Sequence, residues 1–114
     1  MSWSIKSNAI TLTRGDSFKA QLSLKDSSGA KYKPQDGDSI RFALKKFFKD
    51  SYPVLLEKEI STESMVLSLD PEDTNTLDFG TYYYDIQLTK SDGTVDTVVT
   101  MSKFILSEEA EVKQ

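Results

Sequence analysis

Two stretches of the sequence carry residue types that could do chemistry. Asp78-Phe79-Gly80 spells the tripeptide whose aspartate binds magnesium in protein kinases, and the carboxylates between Asp70 and Asp78 could offer oxygen ligands to calcium. A kinase also needs a Gly-rich loop, a strand lysine and a catalytic aspartate on a much larger fold. The acidic spacing does not match an EF-hand loop, and carboxylates at a helix start are satisfied by the N–H groups there. We therefore expect neither site.

The composition excludes most catalytic arrangements. The chain contains no histidine, which is the commonest general base and transition-metal ligand, and no cysteine for thiolate chemistry, disulfides or zinc. Serines and threonines are plentiful, but no Ser-x-x-Lys pattern on a predicted helix could activate one. We expect a protein that is not an enzyme, has no cofactor or metal and binds no small molecule.

The charge balance bears on partners. The formal net charge is −4, a sign that opposes nucleic-acid phosphates and anionic membranes. Lysines at 45, 46 and 49 flank Phe47 and Phe48, and such interleaving can bind single strands, but the acidic total argues against it. If either phenylalanine is exposed, it marks a protein contact instead.

The N-terminus and the hydropathy pattern bear on location. The first residues lack a basic segment followed by an apolar one, so the sequence predicts no secretory signal. No apolar run approaches the roughly 20 residues that a membrane-spanning helix needs. We expect a protein made in the cytoplasm, with no membrane partner.

Alternating apolar and polar residues recur along the whole chain. This period of two is typical of half-buried strands, and turn residues separate the runs every eight to twelve positions or so. The runs number about seven or eight, which predicts an all-β, antiparallel β-sandwich. The alternating stretches are AITL, FKAQLSLK, SIRFALKKFF, VLLEKEI, ESMVLSLD, TYYYDIQLT and VDTVVTMSKFILS.

Local signals refine this prediction. Asp70-Pro71 fits an N-cap and first helical position, so one short helical turn should cross between the two sheets. Lys58 shares the face of its apolar neighbours, which is typical of an edge strand. A break in alternation at Val98-Val99 predicts a bulge, and Asp92-Gly93 predicts a hairpin. We assign residues 1–106 to a single domain and 107–114 to a charged tail.

The stretch LDFGTYYYD resembles the tyrosine corner of immunoglobulin-like sandwiches. In that corner a tyrosine near the start of strand F donates its hydroxyl to upstream backbone, and Tyr82 occupies that place. Gly80 permits the tight turn and Asp78 can brace it. We therefore predict that Tyr82 and Tyr84 are core residues and that Tyr83 points outward.

Over most of residues 3–106 the chain resembles small proteins of phages and prophages of Gram-positive bacteria, in particular the N-terminal domain of the baseplate upper protein family. The segments that carry the resemblance are WSIK, ITLTRGDSF, PQDGDSIRFALKK, LDPEDT and FGTYYYDIQLT. The resemblance implies a structural role in the tail or baseplate. Other virion proteins, or further copies of the chain, would be its partners.

A second function remains open from the residues themselves. Exposed aromatic rings beside Asp, Asn or Gln can form a platform for a host-surface carbohydrate, and the same rings could contact a protein. The candidate residues for an interaction surface are Trp3, Phe47, Phe48, Tyr52 and Tyr83.

Overall fold

The structure, a computed structural model, describes residues 3–6, 8–24, 30–47, 49 and 52–108. Within these ranges the all-β prediction is confirmed, because strands dominate and the one helix is a single turn. The elements are β1 (Trp3–Lys6), β2 (Ala9–Thr13), β3 (Phe18–Gln21), β4 (Ser39–Lys45), β5 (Val54–Ile60), β6 (Val66–Leu69), α1 (Pro71–Thr74), β7 (Gly80–Thr89) and β8 (Val95–Ser107).

The strands form two sheets of very different width. The larger has six strands in the order β1-β2-β8-β7-β4-β5, and the smaller has only β3 and β6. Most neighbours are antiparallel, as predicted, but β2 runs parallel to β8, with Ile10 opposite Phe104. This departs from the all-antiparallel prediction because the pairing joins strands that are far apart in the sequence, which no local pattern encodes.

An aromatic cluster lies at the centre of the core, on the large sheet. The ring of Phe42 lies 5.3 Å from that of Tyr84 and 6.3 Å from that of Phe104, centroid to centroid. All three side chains are buried on the inner face of the large sheet, in its central strands β4, β7 and β8. The aliphatic part of this core is Ile10, Leu12, Leu24, Ile40, Leu44, Ile60, Leu67, Leu69, Ile86, Leu88 and Leu106.

Helix α1 links β6 of the small sheet to β7 of the large sheet, which is the predicted crossover. Pro71 is its first residue because a helix start needs no N–H donor at that position. The Asp70 N–H donates to a carboxylate oxygen of Asp73 at 2.8 Å, which satisfies a backbone donor ahead of the turn. The helical turn is therefore built by local hydrogen bonds and carries the chain between layers.

Strand β5 is an edge of the large sheet, as Lys58 predicted. The Lys58 ammonium lies 3.0 Å from a carboxylate oxygen of Asp73, so the charge on this inner side of the strand is paired with α1. The predicted bulge is also present, because the β7–β8 register shifts on both sides of the Ile86–Val99 pair.

Strand β3 is shorter than the alternation from Phe18 to Lys25 predicts. It ends at Gln21, although the Leu22 N–H still donates to the Met65 carbonyl at 2.7 Å. Met65 has φ +53, so the partner chain turns sharply there and the pairing stops. The length of β3 is thus set by its neighbour.

We predict that Phe42→Ala lowers the free energy of unfolding by about 3–5 kcal/mol, because it removes a ring at the centre of the aromatic cluster and leaves a cavity. Urea unfolding followed by fluorescence measures this. Phe47→Ala is the matched control, since Phe47 is exposed, and should change stability by about 0.5 kcal/mol or less. Equal losses in both variants would contradict this description of the core.

Candidate docking surface

Three segments that are distant in the sequence meet at one end of the sandwich. The Arg14 N–H donates to the Ser107 carbonyl at 3.0 Å, which fixes the turn after β2 beside the end of β8. Gly80 lies opposite Leu106, so β7 begins at this same end, and the β4–β5 hairpin closes there. We call this surface the corner end and define it as residues 14–16, the described residues of 46–55, and 77–82.

The hydroxyl of Tyr82 closes a tight loop at the corner end. It donates to the Asp78 carbonyl at 2.7 Å, and the ring is buried. Burial, together with the nearby Asp78 charge, raises the pKa of this hydroxyl. Gly80 has φ +140, a conformation that favours glycine. Asp78 therefore contributes its backbone carbonyl to the corner.

Two cations cover aromatic rings at this end. The guanidinium carbon of Arg14 lies 4.2 Å from the centroid of the Phe79 ring, and Arg14 Nη1 donates to the Leu77 carbonyl at 3.3 Å. The ammonium of Lys46 lies 4.6 Å from the centroid of the Tyr82 ring. Arg14 thus ties the β2–β3 turn to the segment before β7.

Exposed apolar side chains concentrate at the corner end. Phe47 is 44% exposed and its ring lies 4.7 Å from that of Tyr52, centroid to centroid. Val54 and Leu55 follow in β5, and Phe79 lies on the neighbouring segment. These are five of the seven exposed large hydrophobic side chains among the described residues, the other two being Val95 and Met101 on β8.

The predicted interaction residues are only partly brought together. Phe47 and Tyr52 are stacked at the corner end, whereas Phe48 lies outside the described residues. Tyr83 is half-buried and lies opposite Lys45 and Lys103 in register. Trp3 lies in β1, three strands away from Tyr83 in the order of the sheet.

The acidic residues near α1 serve local structure. Asp73 accepts from the Asp70 N–H and pairs with Lys58. In the part of the chain that the structure describes, no group of three or more Asp, Glu, His or Cys side chains is placed to hold a metal ion.

Three contributors to the corner end were not singled out from the sequence. In the alternating stretch VLLEKEI, Val54 falls on the same side as Leu56 and would be expected on the core face, but it is exposed, and the β4–β5 register shifts at Leu44–Lys45. Leu55 and Phe79 are exposed as well. A signal for Val54 and Leu55 did exist in the sequence, since Pro53 interrupts the pattern directly before them.

A scan of the sequence against protein-family models finds no match, and a search of curated proteins finds no similar protein. Within the described ranges, no helix has the length and apolar character needed to cross a bilayer.

We predict that Tyr82→Phe lowers the free energy of unfolding by about 0.5–1.5 kcal/mol, because the Asp78 carbonyl loses its hydroxyl donor. Urea unfolding at neutral pH measures this. Tyr52→Phe removes a hydroxyl from an exposed ring at the same end and should change stability by less than about 0.5 kcal/mol. An unchanged midpoint for Tyr82→Phe would show that the corner bond contributes nothing.

A second prediction concerns Tyr84, whose hydroxyl donates to the Asn8 carbonyl. Burial raises the pKa of Tyr84 from 10.0 to about 12. Below pH 10 the hydroxyl is protonated in both the folded and the unfolded state, and its contribution to the free energy of unfolding is fully present. Between pH 10 and about 12 the unfolded state ionises first, so stability falls.

The stability difference between wild type and Tyr84→Phe should therefore be constant up to about pH 9 and shrink above pH 10. Urea unfolding of both proteins at several pH values measures this difference. Both proteins contain the same lysines, so the effect of lysine titration on stability cancels in the difference. A difference that stays the same from pH 8 to pH 11.5 would contradict the raised pKa.

Proposed function

We propose that the protein is a non-catalytic docking protein of a phage or prophage virion, associated with the tail or baseplate, and that it binds a neighbouring virion protein through the corner end. The observation that carries this proposal is the concentration of exposed apolar side chains at one end of the sandwich. Phe47, Tyr52, Val54, Leu55 and Phe79 all lie there. Contiguous exposed apolar surface on a small protein is typical of an interaction site.

The composition of this end suits a protein partner. Aromatic side chains and arginine are enriched in protein interfaces, and the corner end combines Phe47, Tyr52 and Phe79 with Arg14. Arg14 is held by the Leu77 carbonyl and by the ring of Phe79, so little of its freedom remains to be lost on binding. An anchored surface of this kind binds with a smaller entropic cost than a mobile one.

The assignment to a virion rests on the resemblance to the baseplate upper protein family. In this proposal the protein is made in the bacterial cytoplasm and assembles into the particle, where repeated copies follow the symmetry of the tail. The description as non-catalytic rests on the lack of histidine and cysteine.

We also propose that the fold is the immunoglobulin-like sandwich. The order β8-β7-β4-β5 matches strands G, F, C and C′ of a variable-type sheet, and β3–β6 matches strands B and E of the opposite sheet. Helix α1 then lies at the E–F corner, directly before the strand that carries Tyr82. The hydroxyl bond from Tyr82 to Asp78 supports this assignment.

The role is tested by mass spectrometry of purified virions from a host that encodes the protein. We expect the protein to co-purify with particles at a fixed ratio to tail proteins. Its absence from intact particles would contradict the virion assignment. Selective binding on a glycan array, together with absence from particles, would favour the carbohydrate-binding alternative.

The surface is tested with the double variant Phe47→Ser, Leu55→Ser. Because both side chains are exposed, the variant should fold normally yet lose particle association at least tenfold, as measured by quantitative mass spectrometry. The matched control is Val95→Ser, which removes an apolar side chain that is 54% exposed at the opposite end of the sheet. Equal retention of the double variant and the control would exclude the corner end as the docking surface.

A further inference from the structure

We propose that the outer edge of β3, with the cleft beside it, accepts one extended segment of a partner protein, which adds as a third strand to the two-stranded sheet. This inference goes beyond the proposed function. It concerns a second surface that shares none of the residues of the corner end.

The backbone of β3 presents hydrogen-bonding groups along this edge. The Leu22 N–H donates to the Met65 carbonyl, which makes Leu22 and Met65 a hydrogen-bonded pair of the β3–β6 ladder. Bonded and non-bonded residues alternate in an antiparallel pair, so the N–H and C=O groups of Lys19 and Gln21 point away from β6. No strand among the described residues lies on that side of β3.

A cleft of about 560 Å³ opens beside this edge, between the two sheets. Ala20 and Leu22 line it from the small sheet, and Ile10, Val98 and Val99 line it from the large sheet. Successive side chains on one face of a strand are about 6.7 Å apart, so the cleft has room for about two or three side chains of an added strand. The polar residues Asn8, Gln21 and Ser23 complete the lining. The volume, and the combination of apolar walls with a few polar groups, are those of a binding cleft.

The edge of β3 is short and carries the exposed Lys19, which are two features that discourage pairing, but it lacks an inward charge, a proline and a bulge. Proteins guard such edges with inward charges, prolines or bulges. Strand β5 follows this rule, because Lys58 lies on its inner side and pairs with Asp73. Strand β3 has an unbroken register with β6, contains no proline, and places Phe18 and Ala20 on its inner side. An edge with no inward charge, proline or bulge, beside a partly apolar cleft, suits strand addition.

The shape of the molecule favours a single segment over a second copy of the domain. The small sheet contacts the large one near β5, through β6, whereas the cleft beside β3 is floored by β7, β8 and β2. The large sheet therefore extends past β3 as a shelf formed by β8, β2 and β1. If a second copy paired its own β3 here, its large sheet would occupy the space of this shelf. One extended strand fits between shelf and solvent.

Charge complementarity indicates the chemistry of the segment. The inner positions of an added strand meet an apolar lining and require apolar side chains at alternate positions. On the outer side, Lys19 is exposed and faces Ser68 of β6 across the ladder, with no carboxylate opposite it. A carboxylate at an outer position of the incoming strand would pair with Lys19. The partner segment is thus apolar at every second residue and acidic between.

The experiment uses the full chain and a synthetic peptide, acetyl-Thr-Val-Glu-Val-Thr-Val-Thr-amide, followed by two-dimensional ¹⁵N–¹H NMR. We expect saturable shifts at the amides of Lys19, Gln21, Val98 and Val99, with Val54 and Leu55 unaffected. Absence of binding at millimolar peptide, or shifts confined to the corner end, would overturn the proposal.

Two N-methylated peptides test the hydrogen bonds. An added strand bonds through only one of its edges, so methylating the amides of one alternate set should weaken binding at least tenfold, whereas methylating the other set should leave it unchanged. Equal binding by both peptides would mean that the cleft takes apolar groups without strand pairing, and the proposal would fail.

Protein variants locate the site. Lys19→Pro removes an N–H from the outer edge and should weaken binding at least tenfold. Lys19→Gln keeps the N–H but loses the charge that faces the Glu of the peptide, and should weaken binding by about two- to fivefold. Unchanged binding by folded Lys19→Pro would overturn the proposal, and if that variant does not fold, the methylated peptides decide. The double variant Phe47→Ser, Leu55→Ser should bind the peptide as the wild type does. Failure of the corner-end proposal is therefore distinguishable from failure of the β3-edge proposal.

Discussion

The structure depends on how a wide sheet buries its apolar face. Among the described residues, six strands present one inner surface, and two strands, β3 and β6, lie over it. The Phe42, Tyr84 and Phe104 rings fill the centre, where both layers meet. Elsewhere the burial is incomplete, which leaves a cleft beside β3 and exposed apolar residues at the corner end. The cleft beside β3 thus arises from the mismatch in width between the two layers.

Local sequence signals predicted the elements well because each has a local physical cause. Asp70-Pro71 marks a helix start, and Asp92-Gly93 lies in the turn between β7 and β8, where Gly93 has φ +93. Lys58 indicated an edge strand correctly, since a charge on the inner side is tolerated only where a partner such as Asp73 can reach it. The order of the strands, and the parallel β2–β8 pair, depend on contacts between distant segments. The alternation of apolar and polar residues in the sequence does not encode such contacts.

The candidate surface was predicted less completely. The sequence offered Phe47 as a contact residue only on the condition that it is exposed; Phe47 is exposed, and Tyr52 lies beside it. Val54 falls on the side of Leu56 by alternation, which cannot register a shift between strands. Whether Phe79 is covered depends on Arg14, which lies in another part of the chain. Exposure is a property of the assembled fold, whereas alternation reports only the two faces of a strand.

The parallel pairing of β2 with β8 has a consequence for biosynthesis. Ile10 lies opposite Phe104, so the large sheet gains this pair only after nearly all of the described chain has left the ribosome. Closing so long a loop costs chain entropy before any contact repays it, which slows folding. Until then the edge of β2 that pairs with β8 has no hydrogen-bonding partner, and the nascent polypeptide exposes an unpaired strand edge during translation.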